Sequence, residues 1–291
     1  MSLNLLPKTQ ILGRGTRNIR QIVYNLPYCL ICMHISFDLY PSYLRDFSTL
    51  ACPTSGYKLC YDIHAMRNYA YRNEGGKRLG PFPQVRKEGS LEITCHAPKA
   101  NHSLRSLDVT HTRSWATWTN QKPASKQTIE ASIKYAANTV GSPGNWSLTY
   151  QSEPILPVKS YRYNPLGPME QSGKRSGNQI SLRTGTRSTV RRYSANHDFT
   201  CLYTLVERLQ AGAVQPGLVD HLDDLSMFRP GLEITSLAEQ TLEIDKRRQT
   251  LHGFVLVGPA ILPIYFWQNK NNHVLAIIGR NVAYTLTAIE F

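Results

Sequence analysis

Three groups of residues in this sequence have types and spacings that chemistry uses. The first is sulfur and imidazole. Cys29-x-x-Cys32 is half of a zinc or redox motif, since two thiolates at that separation can grip one soft cation. No second Cys-x-x-Cys exists: seven residues separate Cys52 from Cys60, and Cys60, His64, Cys95 and His96 would meet a common ion only through long-range folding. Free thiols packed as small hydrophobes are therefore expected, with no metal and no cofactor. The second group, His221 beside Asp223-Asp224, could pair a base with a carboxylate, but the solvated face of a short helix is the simpler expectation. The third is basic: Lys159, Arg162, Lys174, Arg175, Arg183, Arg187, Arg191 and Arg192, interleaved with Tyr161, Tyr163 and Tyr193 and opposed by the single acid Glu170. Guanidinium groups grip phosphates bidentately and tyrosines stack on unpaired bases, so this stretch has the composition of an RNA or DNA contact. The sequence contains no P-loop, no glycine-rich dinucleotide turn, no His-Glu-x-x-His and no nucleophile elbow, so no enzyme is expected.

The charge balance points the same way. The chain of 291 residues carries a formal net charge of +13. From position 198 onward seven Lys/Arg face ten Asp/Glu, whereas the first 197 residues hold 26 against 10. Such an excess favours phosphates, acidic protein faces or anionic lipid as partners. Lys8, Arg14, Arg17 and Arg20 interrupt any apolar signal core, which argues against secretion and for the cytoplasm. The absence of any acid before Asp38 resembles an organellar presequence, but Pro7, Gly13 and Gly15 spoil the amphipathic helix such a peptide needs. The uncharged stretches 21–37 and 249–269 are too short or too broken by proline to span a bilayer, leaving peripheral membrane association at most.

These residues have to be positioned by elements. Residues 1–20 read as a basic arm and 21–157 as a mixed region, with a helix from about Leu26, short strands at 90–95 and 106–110, and helical composition over 125–137. Residues 158–197, poor in large aliphatics, read as a basic linker. In 198–291, Asp198 is positioned to cap a helix with Phe199, Leu202, Leu205, Val206 and Leu209 on one face. A second helix is expected over 216–228, and a third opens at the capping-box pair Ser236 and Glu239. Strands are expected at 251–257, 261–267, 273–278 and 282–289. The expected fold is α+β: an irregular basic N-terminal part, then C-terminal helices followed by an antiparallel sheet.

One short pattern is more specific. Leu26-Pro27-Tyr28-Cys29-Leu30, followed after ten residues by Pro41, places a Leu-Pro helix start where apolar side chains can enter a partner's groove. It resembles the minimal F-box-like motif of the polerovirus and enamovirus suppressors of RNA silencing. The resemblance covers sixteen residues. It implies that Leu26, Pro27, Leu30 and Pro41 engage a Skp-type ubiquitin-ligase adaptor in the host cytoplasm and that the protein directs Argonaute to degradation. The alternative is a nucleic-acid-binding structural protein, viral or organellar, that works through residues 159–192.

Overall fold

Alternation, not helical periodicity, governs this chain. A computed structural model describes residues 41–53, 56–66, 85–98, 104–116, 123–136, 141–154, 168–185, 190–279 and 282–291, all within one compact unit. After a 3-10 turn at Pro41–Tyr43 come β1 (Tyr57–Met66), β2 (Val85–His96), β3 (Leu104–Ala116), β4 (Pro123–Ala136) and β5 (Asn145–Pro154). Then follow β6 (Met169–Ser176), β7 (Gln179–Thr184), β8 (Val190–Ser194), β9 (Asp198–Cys201) and the helix α1 (Leu202–Gln210). The last six strands are β10 (Gly217–Asp223), β11 (Met227–Ile244), β12 (Arg247–Val257), β13 (Ile264–Gln268), β14 (Val274–Gly279) and β15 (Val282–Glu290).

The expectation of an α+β fold is thus corrected: among the described residues the chain is nearly all strand, with one α-helix. The stretch 125–137 has helix-forming Ala, Lys, Glu and Gln, yet it is β4, because Ala131, Ile133 and Tyr135 alternate inward against Glu130, Ser132 and Lys134. Residues 216–228 form β10 and a tight turn rather than a helix, and Ser236 and Glu239 lie exposed on β11. The helix read from Asp198 begins four residues later. Residues 198–201 pair with β10 as a strand, and Cys201 is the N-cap, its N–H donating to Thr204 Oγ1 at 3.1 Å. The stretch 158–197, read as a linker, supplies β6, β7 and β8 over its described part. The four C-terminal strands stand close to where alternation puts them.

All fifteen described strands lie in one sheet, in the order β8-β7-β6-β5-β4-β3-β2-β1-β15-β14-β13-β12-β11-β10-β9. Neighbours run antiparallel except β9, which is parallel to β10. Two meanders are therefore joined at a seam where β1 pairs with β15. The two outermost strands, β8 and β9, are consecutive in the chain, with only Ala195, Asn196 and His197 between them. Laid flat, fourteen strand spacings would hold these edges about 65 Å apart. Four peptide steps reach about 14 Å. The sheet must curl until its edges meet, and the result is barrel-like.

The clasp at this junction is Asp220, fully buried on β10. One carboxylate oxygen accepts the backbone N–H groups of Asn196 (2.6 Å) and His197 (2.9 Å); the other accepts the N–H of Gly231 (2.8 Å) and lies 3.2 Å from His197 Nδ1. Burial raises the Asp220 pKa, but the hydrogen bonds from His197, Gly231 and Asn196 outweigh it and hold the carboxyl below its usual value.

Inside the curl, Leu59, Ile93, Val109, Ala131 and Leu148 make one continuous cross-strand layer. Tyr57, Cys95, Leu107, Ile133 and Trp146 make the next. Gly173 continues that second layer because the Trp146 ring lies where a Cβ would stand. Helix α1 fills the remaining space, with residues 203–210 buried all round, including Thr204, Glu207, Arg208 and Gln210. Outside, residues 43–50 strap β1 and the second meander across the seam. Tyr43 lies against His64 (ring centroids 4.8 Å apart) and Phe47 against His273 (6.3 Å). Asp46 accepts hydrogen bonds from Gln249 (2.8 Å) and Arg247 (3.0 Å).

Replacing the clasp tests this account of closure. Asp220→Ala leaves three backbone donors without an acceptor and should cost about 3 kcal/mol in denaturant unfolding. Because the folded pKa is the lower one, the native contribution is complete above the unfolded value of about 4 and is lost as pH falls through the folded value. The stability gap between native and Asp220→Ala chains should therefore close in acid, and a gap independent of pH down to 2 would contradict the clasp.

Candidate functional site

The period of two sorts the basic residues onto opposite faces. The register Lys134–Asn145–Lys174–Ser181–Arg192 runs across β4 to β8 as one row. Its three cations are exposed, whereas Ile133, Trp146 and Leu182 beside them point inward and are buried. Arg183 is exposed in the adjoining row, Ser132–Ser147–Ser172–Arg183. None of Lys134, Lys174, Arg183 and Arg192 forms an ion pair with a described residue. Alternate cations in the row stand two strand spacings apart, about 10 Å.

The other sequence candidates separate from this row. Arg175 points inward, donating to Ser142 Oγ at 2.5 Å and to the Gly177 carbonyl at 2.8 Å, with its guanidinium 5.7 Å from the Phe199 ring centre. Arg191 shares the inward register with Leu182 and donates to Thr184. Tyr193 packs on Phe228 at 5.1 Å and so faces no outside base. Lys159, Arg162, Arg187, Tyr161 and Tyr163 lie outside the described residues, as do Leu26, Pro27 and Leu30; Pro41 opens the 3-10 turn. The sulfur and imidazole candidates do not converge. Cys95 faces inward 3.6 Å from Glu207, Cys60 lies beside Glu290, His64 bonds Thr285 and His96 pairs with Asp108 at 2.6 Å. Cys29 and Cys32 are outside the described residues, and among the described ones no three His, Cys, Asp or Glu side chains are grouped to hold a metal.

His221 and Asp223, expected on a solvated helix, are instead buried on β10 and line a partly open cavity of about 190 Å³. His111, Arg113 and Gln127 from β3 and β4 contribute to its polar lining, and Asp224 lies exposed on the adjoining turn. Ile129, Ile264, Ile277, Val282 and the rings of Tyr150 and Tyr284 provide apolar walls. His111 Nδ1 shares a hydrogen bond with the Tyr203 hydroxyl at 3.3 Å, and its ring meets Tyr284 edge-on at 5.7 Å. Burial, aided by Arg113, pushes the His111 pKa down to about 4, so this imidazole is neutral at pH 7. Arg113 donates twice to Glu88 Oε2, at 3.3 and 3.4 Å.

The turn at the cavity rim is built against local preference. Asp224 (φ 47°) and Leu225 (φ 54°) are both left-handed, and Ser226 N–H closes the turn onto the Asp223 carbonyl at 3.0 Å. Asn-Gly suits such a turn; a leucine in it costs roughly 1–3 kcal/mol. The Leu225 carbonyl is held by Trp146 Nε1 (3.3 Å) and Gln171 Nε2 (3.2 Å), which fix the strained peptide from below. His111 and Arg113 belong to no short motif, yet their positions carry a signal. On β3 they share the inward alternation of Leu107 and Val109, so two polar residues occupy core positions.

Deeper in the barrel, Glu207 of α1 stands 3.4 Å from Arg105 and beside Cys95 and the Tyr135 hydroxyl. Burial raises its pKa against the opposing pull of Tyr135, Arg105 and Cys95, and burial together with Glu207 pushes the Cys95 thiol up to about 11. This network anchors the helix rather than forming a reactive thiol, because a nucleophilic cysteine needs a lowered pKa.

No protein-family model and no curated protein matches the chain. Among solved structures it is similar to a beta-barrel-like protein of a domain of unknown function, DUF1849, from Brucella abortus, with a TM-score of 0.50 and 8% identity over 81% of this chain and 97% of that one. The likeness concerns fold alone and agrees with the curled sheet.

Glu207 yields a signed expectation. Its folded pKa lies above the unfolded value near 4.3, so its ionisation in the core costs stability as pH rises through that interval. The melting temperature of Glu207→Gln relative to the native chain should therefore increase between pH 4 and pH 7. A difference that is constant with pH would show that the carboxyl is not held up by burial.

Proposed function

We propose that this protein binds single-stranded nucleic acid through its phosphates, along the outward face of β4 to β8. The observation that carries the reading is the row of Lys134, Lys174 and Arg192, with Arg183 beside it, exposed and without ion-pair partners among the described residues. Rigid strands hold these cations at fixed separations, which an extended backbone can follow. The net charge of +13 steers an anionic chain toward the surface. With Tyr193 packed on Phe228, that tyrosine supplies no platform for stacking, so contact is with the backbone and base identity matters little. The outward positions of β3 to β5 are polar, among them Asp108, Thr110, Glu130, Ser132 and Ser147. That is the reverse of the apolar band a membrane barrel presents to lipid. No described helix is long and apolar enough to cross a membrane.

Salt dependence tests the reading. Anisotropy titrations of a labelled single-stranded RNA should give a log–log salt slope of about −2 to −3, from three or four phosphates at about −0.7 each. Replacing Lys134, Lys174 and Arg192 together with Gln should flatten that slope by about two, whereas replacing Arg248 and Lys270, exposed on the other meander, should leave it unchanged. A triple variant with the native slope would defeat the proposal.

A second reading, the ubiquitin-ligase adaptor directing Argonaute to degradation, rests on the spacing of Leu26, Pro27, Leu30 and Pro41. Under it, Leu26→Ala with Pro27→Ala should abolish capture of a Skp-type adaptor and weaken affinity at least tenfold, the loss of one buried leucine being worth about 1.5–3 kcal/mol. Unchanged capture would remove the motif's meaning.

A further inference from the structure

The outward face of β4 to β6 holds more than the basic row. We propose that it is a self-complementary surface through which two copies of this chain pair face to face about a two-fold axis.

Glu130, Ser132 and Lys134 are successive outward positions of β4, and Glu170, Ser172 and Lys174 are successive outward positions of β6. Strand β5 runs the opposite way between them. Its register sets Thr149 between the two glutamates, Ser147 between the two serines and Asn145 between the two lysines. The face therefore carries three parallel rows, one acidic, one of hydroxyls and one basic, and all four charged residues are exposed. Rows lie two residues apart, about 7 Å, so each glutamate stands about 14 Å along its own strand from the lysine. Its cross-strand neighbours Thr110 and Thr149 carry no charge. Neither Glu130 nor Glu170 forms an ion pair with a described residue, as is also true of Lys134 and Lys174.

A two-fold rotation about a line along the hydroxyl row turns the face onto a second copy and exchanges the two outer rows. Lys134 of each copy then meets Glu130 of the other, and Lys174 meets Glu170. Four opposite-charge contacts form, with only serines on the axis, which are short enough to let the longer side chains reach across. An isologous contact of this kind requires a surface that matches itself under rotation. The sequence carries the match twice, as Glu-x-Ser-x-Lys at 130–134 and again at 170–174, on strands that run in the same direction. Because the sheet curls, the face is convex and the contact centres on β5. Asp108 and Arg183, which continue the hydroxyl row on β3 and β7, fall away from the axis, and Asp108 is already answered by His96 at 2.6 Å. A contact so small and so polar belongs with weak, reversible association. The pairing does not rest on nucleic-acid binding, but both use Lys134 and Lys174, so a second copy and a nucleic-acid strand exclude each other there.

Sedimentation velocity on the full chain without nucleic acid tests the pairing, which keeps its failure separate from any failure of phosphate binding. At about 0.15 M salt, screening over about 8 Å mutes the repulsion between two chains of net charge +13 while contacts at close range persist. At protein concentrations up to about 1 mM, where weak complexes form, the native chain should show a reversible monomer–dimer equilibrium. Glu130→Gln with Glu170→Gln removes all four contacts, keeps every cation of the phosphate row, and should weaken dimerisation by about tenfold or more. Charge reversal sharpens the test. Lys134→Glu with Lys174→Glu makes both outer rows acidic, and Glu130→Lys with Glu170→Lys makes both basic. Each reversed variant alone should be monomeric, and their equimolar mixture should dimerise to within about threefold of the native affinity. A native chain that stays monomeric throughout would overturn the proposal. So would undiminished dimerisation of the Gln variant, which would place the contact elsewhere, and so would a mixture of folded reversed variants that fails to associate. The native and Gln measurements decide the outcome even if a reversed variant does not fold.

Discussion

The closure of the sheet on itself governs everything else in this molecule. Fifteen strands in a single flat sheet would leave two unpaired edges, and a link of three residues between the outermost strands forbids that arrangement. Once the edges meet, an inside is created that apolar side chains alone do not fill, and the chain places its one described helix there. A helix surrounded on all sides has no solvated face, so Glu207 and Arg208 must find partners in the wall. Arg105 faces the first, and Asp198, at the mouth of the helix, accepts the second at 2.7 Å. Gly141, at φ +76°, lets the backbone pass close over the Arg208 stem where a Cβ would collide.

The same closure gives the two faces of the sheet different work. The concave face carries the core and the cavity, and the convex face of the first meander carries hydroxyls and charges. A basic stretch that looks uniform in sequence is divided by the strand period: Lys174, Arg183 and Arg192 look outward, while Arg175 is taken into the structure as a hydrogen-bonding strut. Counting cations along the chain therefore overstates the charge that any one partner meets.

What the sequence disclosed follows from how strongly each segment alternates. The C-terminal strands are rich in Val, Ile and aromatic residues and were legible within a few positions. Residues 125–137 were not, because their helix-forming composition outweighed an alternation carried by only Ile129, Ala131, Ile133 and Tyr135. Residues 169–194 were not, because short strands with polar outward faces and one or two buried aliphatics each, such as Ile180 and Leu182, have the composition of a linker. Of the cavity, the sequence shows His221 and Asp223 but not their burial, since nothing local distinguishes a buried Asp on a strand from a solvated one on a helix. The partners that make them a site lie about a hundred residues earlier on β3, and only the fold joins them.

The seam between β1 and β15 has a consequence for how the chain comes into being. All the other antiparallel pairs join strands that follow one another in sequence, so they can zip up locally, whereas β1 and β15 are separated by more than two hundred residues. On the ribosome, β1 is made first of the fifteen described strands and its partner last. Throughout that interval one edge of β1, with Leu59, Tyr61 and Ile63 on its inward side, has no strand to pair with. The first meander must wait, with this edge open, for almost the whole length of the second, and that wait is the stage of biogenesis at which the chain is most exposed to association with its own copies.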